Sequence, residues 1–277
     1  MNRLRCTHTP LPADSADRMA LLRNTDVPRN GLLVWFLGQN GFVLKTSGGA
    51  LIAIDPYLSD SVAEENPSHP LDLRRTFPAP IAAEHLTVDT VIFTHSHGDH
   101  LDLQTVACLP GAPAFLAPWD AEQRLLHAGY DAGRIFLLHP NQEVTVDGVN
   151  VKGIFAFPTD TTDLNHIGVL IQPNAGPSFY NTGDTAYAEH LKKLLPAEVD
   201  ICAICINGGF HNLTHAEAAR IIETITPDTV IPTHYDLMAC NQSDPEMFRV
   251  ALQTSSISSR YCRLSTDHMY LFEKDVA

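Results

Sequence analysis

The chain has 277 residues, 44% of them hydrophobic, with 18 Lys and Arg against 32 Asp and Glu and a net charge of −14. This length and apolar content support a large layered core. The acidic balance excludes a partner held by phosphate neutralisation, so no nucleic acid is expected. The longest apolar run, 32–37, is far shorter than the roughly 20 residues that cross a bilayer. No signal-like apolar stretch follows the first residues, and six scattered cysteines do not read as a disulfide framework. A cytoplasmic protein with reduced thiols and no membrane partner is expected.

In chain order, residues 1–30 are polar and weakly patterned and read as a peripheral N-terminal arm. Segments 32–37, 41–44 and 50–54 are expected as three strands of a meander, with turns at Gly38–Gly41 and Ser47–Gly49. Residues 59–80 are polar and contain prolines, which predicts a long loop. Segment 90–94 is a buried strand rich in β-branched residues. Later strands are expected at 114–117, 134–138, 149–157, 167–171, 178–181, 199–206, 229–233 and 269–272. Helices are expected at 121–127 and at 186–195, the latter with Lys192 and Lys193 near its C-terminal end, where cations suit the helix dipole. Thr214-His215-Ala216-Glu217 is a capping box opening a helix through 218–225. Asp244-Pro245 opens another over 246–254. Strands with helices interspersed in both halves predict an α/β architecture, two packed sheets with helices outside, in a single domain over 1–277.

Histidine stands out, with 14 copies, three of them in Thr94-His95-Ser96-His97-Gly98-Asp99-His100 directly after the strand at 90–94. Residues two apart leaving a strand point the same way, so His95 and His97 can converge on one ion. Gly98 permits a sharp turn that brings Asp99 and His100 back. Imidazole and carboxylate without thiolate suit Zn²⁺, Mn²⁺ or Fe²⁺. The rival reading, histidines decorating a surface loop, fits poorly with four ligand-type side chains in six positions at the end of a buried strand.

The segment His95-x-His97-x-Asp99-His100 resembles the HxHxDH signature of the metallo-β-lactamase superfamily. The resemblance implies a four-layer αβ/βα sandwich of two mixed sheets with helices on the outer faces. It also implies two further ligands. Thr182-Gly183-Asp184-Thr185 after segment 178–181 matches the family's GDT-type motif, and His234 follows the strand at 229–233. Trp35–Gly38 with Gly41-Phe42, Ile54-Asp55-Pro56-Tyr57-Leu58, Gly208-Gly209 and Val230–Tyr235 are similar to the branch containing the L-ascorbate-6-phosphate lactonases and related hydrolases. The similarity spans about 32–250, strong at motifs and thin between them. Two departures stand out. Gln39 and Asn40 occupy positions where related hydrolases often carry a His, and the mid-chain His ligand has no obvious counterpart. Asp160, shortly after the strand at 149–157, is the preferred substitute and His166 the competitor. An Asp ligand would shift the expected metal from zinc toward manganese or iron.

The resemblance thus implies one ion held by His95, His97 and Asp160, a second held by Asp99, His100 and His234, and Asp184 bridging them. Two divalent cations, Mn²⁺ or Zn²⁺ with Fe²⁺ as a further candidate, would turn a water into hydroxide near neutral pH. The expected reaction is attack on a small ester, first a lactone and second a phosphodiester. Asp99 is the expected catalytic group, orienting the water and passing a proton to the leaving alkoxide. Asp55 is expected to support a ligand His from behind. His211 and Tyr235 are candidate substrate contacts, against a solvent-facing loop His and a core aromatic as the plainer readings. The motif segments hold almost no Arg or Lys, which speaks against a phosphorylated substrate. His215 reads as a helix-start residue, and Cys202-Ala203-Ile204-Cys205 as buried strand thiols with sulfurs on opposite faces. Seven other histidines, His69 among them, have no partner pattern. A non-haem iron oxygenase and a metal-stabilised binding protein are the rival classes. A small-molecule substrate is expected, and a homo-oligomer is left open.

Overall fold

The computed structural model describes residues 4–275. The N-terminal half runs β1 (Arg5–Pro10), α1 (Ser15–Asn24), β2 (Gly31–Gly38), β3 (Gly41–Thr46), β4 (Leu51–Ile54), α2 (Ser61–Glu65), β5 (Thr90–Ile92), α3 (Leu103–Cys108), β6 (Ala114–Ala117), α4 (Trp119–His127) and β7 (Ile135–Leu137). The C-terminal half runs β8 (Glu143–Val146), β9 (Val149–Phe155), β10 (Ile167–Pro173), β11 (Phe179–Asn181), β12 (Ile201–Cys205), α5 (His215–Ile225), β13 (Thr229–Thr233), α6 (Pro245–Thr254), β14 (Arg260–Tyr261) and β15 (His268–Glu273).

Two mixed sheets result, one ordered β1-β15-β2-β3-β4-β5-β6-β7 and the other β14-β13-β12-β11-β10-β9-β8. Each changes character midway. Pairing is antiparallel from β2 to β4 and parallel from β4 to β7, then antiparallel from β8 to β11 and parallel from β11 to β14.

Strand β2, Gly-Leu-Leu-Val-Trp-Phe-Leu-Gly, is buried at every position, as a strand covered on both faces must be. Alternation sends Leu32, Val34 and Phe36 into the core between the sheets, beside Phe42, Ile167 and Phe179. Leu33, Trp35 and Leu37 face the other way, onto Leu22, Val106, Ala121 and Leu125 of the outer helices. In the second sheet Ile201 and Ala203 face inward, and Cys202 and Ile204 pack under α5 and α6. This is the four-layer αβ/βα sandwich expected from the motifs, and each fully buried Leu, Ile or Phe contributes about 1.5–3 kcal/mol to it. Both Cys202 and Cys205 are free and buried; they share the outer-layer cluster. No helix among the described residues is long and apolar enough to cross a membrane.

Helix α5 starts at the expected capping box, with Thr214 accepting from Glu217 N–H and Glu217 answering the cap. It buries Ala218, Ile221, Ile222 and Ile225 on one face and ends where Thr226 turns left-handed at φ 52°. Elsewhere the fold departs from the sequence reading. Within the expected N-terminal arm, β1 pairs with β15; α1, capped by Asp14, buries Met19 and Leu22. The expected helix at 186–195 is only a turn at Leu191–Lys193, because Ala186 N–H is taken by Phe157 C=O and Leu191 alone is buried there. The unexpected strand β8 forms a hairpin with β9 across Asp147-Gly148, both at positive φ, the pair an I′ turn favours. Short helices α2 and α3 also went unseen, having too few residues to show a period.

Candidate metal centre

The chemistry-bearing residues collect where the strands of both sheets end. Chain leaving β4 supplies Asp55, chain leaving β5 supplies residues 94–100, the entry to β10 supplies His166, and chain leaving β11 and β13 supplies Asp184 and His234. In α/β sheets this C-terminal edge of the strands is where ligands bind. Five non-glycine residues there hold left-handed backbone, namely Gln39, Asp55, Phe210, His211 and His234, with φ between 42° and 66°. Such conformations cost about 1–3 kcal/mol each and persist where surrounding structure enforces them.

Three groups of donor atoms lie within 4.8 Å of one another: His95, His97 and His166; His95, His100 and Asp184; and Asp99, His100 and His234. His95 Nε2 stands 3.0 Å from His97 Nδ1, and the rings of His95 and His166 stack at 4.1 Å. Asp184 Oδ1 lies 3.4 Å from His100 Nε2 and 3.3 Å from His234 Nε2, while Asp99 Oδ2 lies 3.3 Å from His234 Nε2. Because Asp184 also shares a donor group with His95, it borders both sides of the cluster.

The outer atoms of these side chains are fixed from behind. Buried Asp55 accepts from His100 Nδ1 at 2.7 Å, from Thr94 N at 2.8 Å, from Thr94 Oγ1 at 2.5 Å and from Asn40 Nδ2 at 2.8 Å. That is the supporting role expected of it. His166 Nδ1 donates to Asp184 C=O at 3.1 Å, and Asn212 Nδ2 donates to Asp184 Oδ2 at 2.7 Å. Gln39 Nε2 donates to Asp99 Oδ2 at 2.6 Å, while Gln39 C=O accepts from His234 N at 2.7 Å. Asp163 accepts from Ser96 N at 2.7 Å and pins the turn that carries His95 and His97.

With those contacts made, His100 Nε2, His166 Nε2 and Asp184 Oδ1 are left buried with no hydrogen-bond partner. Leaving such atoms unpaired costs about 1–3 kcal/mol each, and all three belong to the donor groups. The electrostatics agree. Burial, with His100 and His166 adding, pushes the His95 pKa well below its ordinary value; burial also lowers His166. Burial works against the ionised forms of Asp99 and Asp184, but His100 and His234 overcome it and hold both carboxyls well below the usual carboxylate range. Burial likewise opposes charge on His100, which Asp184, Asp99 and Asp55 raise well above its ordinary value. The lowered imidazoles of His95 and His166 and the ionised carboxylates are the forms that bind cations, while His100 would have to release its proton to a bound ion; the donor set fits divalent metal.

Of the sequence-predicted residues, His95, His97, Asp99, His100, Asp184 and His234 come together. Asp160 does not join them; His166 stands in its place. Strand β9 ends at Phe155, and the following loop leaves Asp160 at the rim, where its Oδ1 accepts from Thr162 N and Oγ1 at 2.7 Å each. The chain then returns through Ile167 N–H, which donates to Thr94 C=O at 2.9 Å and sets His166 against His95. A carboxylate in this group was the ground for preferring manganese or iron, and three imidazoles remove it. Asp160 Oδ2 is 3.3 Å from His97 Nε2, a contact with a single member of the donor groups made from a side chain that is 45% exposed. His166→Ala is expected to weaken metal retention roughly 10–100-fold and Asp160→Ala to leave it unchanged, as read by chelator competition.

A cavity of about 360 Å³ opens beside Asp99, Asp184 and His234. His211 lines it, as expected, and so does His69, which no sequence pattern singled out. Tyr235 does not. Its ring is buried in the outer-layer core, with the Arg263 guanidinium 5.7 Å from its centre, and it borders a separate cavity with Phe36 and Phe77. Gln39, Asn212 and Asn241 were missed as supports. Asn241 Nδ2 lies 2.8 Å from His234 Nδ1; single amides carry no spacing signal.

A family model described as beta-lactamase superfamily domain matches residues 33–234. A UPF0173 metal-dependent hydrolase of Anaeromyxobacter sp. (strain K) is 30% identical over 237 residues, covering 80% of each chain. Among solved structures, Igni18, a metallo hydrolase from Ignicoccus hospitalis, superposes with a TM-score of 0.69 at 17% identity, over 88% of this chain and 100% of its own. An isothiocyanate hydrolase from Delia radicum gut bacteria gives 0.67 at 17% identity, over 86% of this chain and 97% of its own. The two structural likenesses concern the fold.

Proposed function

The chain belongs to the beta-lactamase superfamily, and from that premise we propose that it is a metal-dependent hydrolase of a small ester, with a lactone as the first candidate substrate. The observation that carries this reading is the set of buried, unpartnered donor atoms on His100, His166 and Asp184. In this reading His95, His97 and His166 hold one divalent ion, Asp99, His100 and His234 hold the other, and Asp184 serves both. Zinc suits three imidazoles, and manganese is the second choice. Ions bound there supply Lewis acidity, bringing the pKa of a water toward neutrality and polarising a carbonyl.

The chain's own residues do the rest. Asp99 is partly exposed and lines the cavity, so it can orient the attacking water and pass its proton to the leaving alkoxide. Gln39, bonded to Asp99 at 2.6 Å, fixes the direction in which that carboxylate offers its free oxygen. Asp55 keeps His100 oriented through its Nδ1, and Asn212 keeps Asp184 from rotating. The cavity walls hold the acyl and alkyl parts of the ester while excluding bulk water.

The test is hydrolysis of lactones and esters by protein reconstituted with each ion. Turnover is expected to require metal, and Asp99→Asn to lower kcat by roughly 10²-fold, with metal content measured on the same samples. Full turnover by the metal-free protein, or an unchanged kcat in a metal-replete Asp99→Asn variant, would contradict the reading.

A further inference from the structure

We infer that the site takes an uncharged substrate with an apolar body and rejects one that carries a phosphate or carboxylate remote from the bond that breaks. This rests on the hydrolase reading above and narrows its substrate class. The cavity beside the donor groups has an apolar wall formed by Val62, Leu73, Phe210, Met238 and Cys240. Among the described residues no lysine or arginine lines it, whereas Asp160 does, with its side chain 45% exposed at the rim.

The nearby guanidiniums are committed elsewhere, that of Arg74 to Asp72 at 2.7 Å. Arg75, two residues beyond Leu73, is turned away, with Nη1 donating to Tyr57 C=O at 2.6 Å and Nε to Phe77 C=O at 3.3 Å. Arg124 is spent on the carbonyl of Ser96. A remote anion held against this wall, away from the donor groups, would shed water without meeting a lysine or arginine and would face Asp160 as well. An alkyl or aryl body meets complementary surface.

Phe210 adds a second, independent sign. It is 51% exposed at the mouth of the cavity, and both it and His211 sit in left-handed backbone, at φ 52° and 66°. The loop is tied by Gly208 N–H to Leu213 C=O and by Asn212 N–H to Gly209 C=O. Strained backbone that holds an aromatic ring outward beside a reaction centre fits a ring that closes over the substrate's apolar part.

The test has two arms on the metal-loaded protein. The first compares kcat/KM for 4-nitrophenyl hexanoate with that for the mono-4-nitrophenyl ester of glutarate, which ends in a carboxylate. The neutral ester is expected to be favoured at least about tenfold, Phe210→Ser to raise KM for the neutral ester, and His69→Arg at the mouth to narrow the ratio. The second arm needs no hydrolysis. Cys240 lines the cavity and Cys108 is exposed, so Cys108 serves as internal reference for labelling by neutral methyl methanethiosulfonate and by its anionic sulfonatoethyl analogue. The anionic reagent is expected to lag at Cys240 relative to Cys108 by about tenfold. Equal rates for the two esters, or equal relative labelling, would overturn the inference. Absence of turnover with either ester, together with retained charge selection at Cys240, would remove the hydrolase reading and support the cavity's preference for uncharged ligands.

Discussion

Replacing Asp184 by Asn is expected to lower hydrolysis by roughly 10³-fold or more and to reduce bound metal. Its Oδ1 is the buried, unpartnered oxygen that lies within 3.4 Å of both His100 and His234, and the residue shares a donor group with His95, so the substitution weakens both sides of the centre at once. Disturbing even a supporting partner of a metal ligand costs about 10–100-fold, and two affected ions compound that loss. The amide would also face His100 and His234 without the negative charge that balances them, while Asn212, which donates to Oδ2 at 2.7 Å, would have to choose between an oxygen and a nitrogen. The variant should still fold, because the strand and turn before it are held by Gly183 N–H donating to Asn181 Oδ1 and by Thr182 N–H donating to Ala203 C=O. Metal content, kcat and a thermal melt on one preparation check all three statements. A variant with full metal and a kcat within a few-fold of the parent would place the bridging role elsewhere.

The second large effect falls on stability. Asp55→Ala is expected to destabilise the metal-free protein by about 3–5 kcal/mol, the usual cost of breaking a buried charged pair by removing one partner. Asp55 is fully buried and receives four hydrogen bonds, from Asn40, His100 and two atoms of Thr94. Alanine would orphan all of these donors. Because total stability of such a domain is only about 5–15 kcal/mol, the loss should show as a fall in Tm of roughly 10 °C, read by calorimetry or circular dichroism. Asp55→Asn should fall between parent and alanine variant, since one oxygen remains to accept. A Tm for Asp55→Ala equal to that of the parent would mean that this network adds nothing to the fold.

Much of the centre was legible because its chemistry is local in sequence. His95, His97, Asp99 and His100 fall within six positions after a buried strand, and Asp184 and His234 each follow a strand of their own. The choice between Asp160 and His166 was not legible. It turns on the path of a loop, fixed by the Asp160–Thr162 contacts and by Ile167 pairing with Thr94, and loop paths leave no period in sequence. Gln39 sits at the tip of a hairpin in left-handed backbone, a conformation with no compositional mark for glutamine. Tyr235 illustrates the opposite error, since adjacency to His234 in sequence says nothing about direction after a strand ends.

The fold shows the same division. Strands covered on both faces, such as Gly31–Gly38 and Thr229–Thr233, read clearly as apolar runs. The segment 186–195 has helix-forming residues but buries Leu191 alone in its observed turn, and propensity without a packing face rarely makes a helix. Helix α1 is the converse. Its pattern is weak, but Asp14 caps it through Ala16 and Asp17 N–H, and Met19 and Leu22 anchor it to the outer layer.

The proposed centre holds two ions and is built on His166, not on Asp160. The most direct measurement is metal content per chain, by mass spectrometry, on parent, His166→Ala and Asp160→Ala protein purified without chelator or a metal-affinity column. Two equivalents in the parent and in Asp160→Ala, with about one in His166→Ala, are the expected result. No metal bound by the parent after incubation with zinc, manganese or iron, or two equivalents retained by His166→Ala, would contradict it.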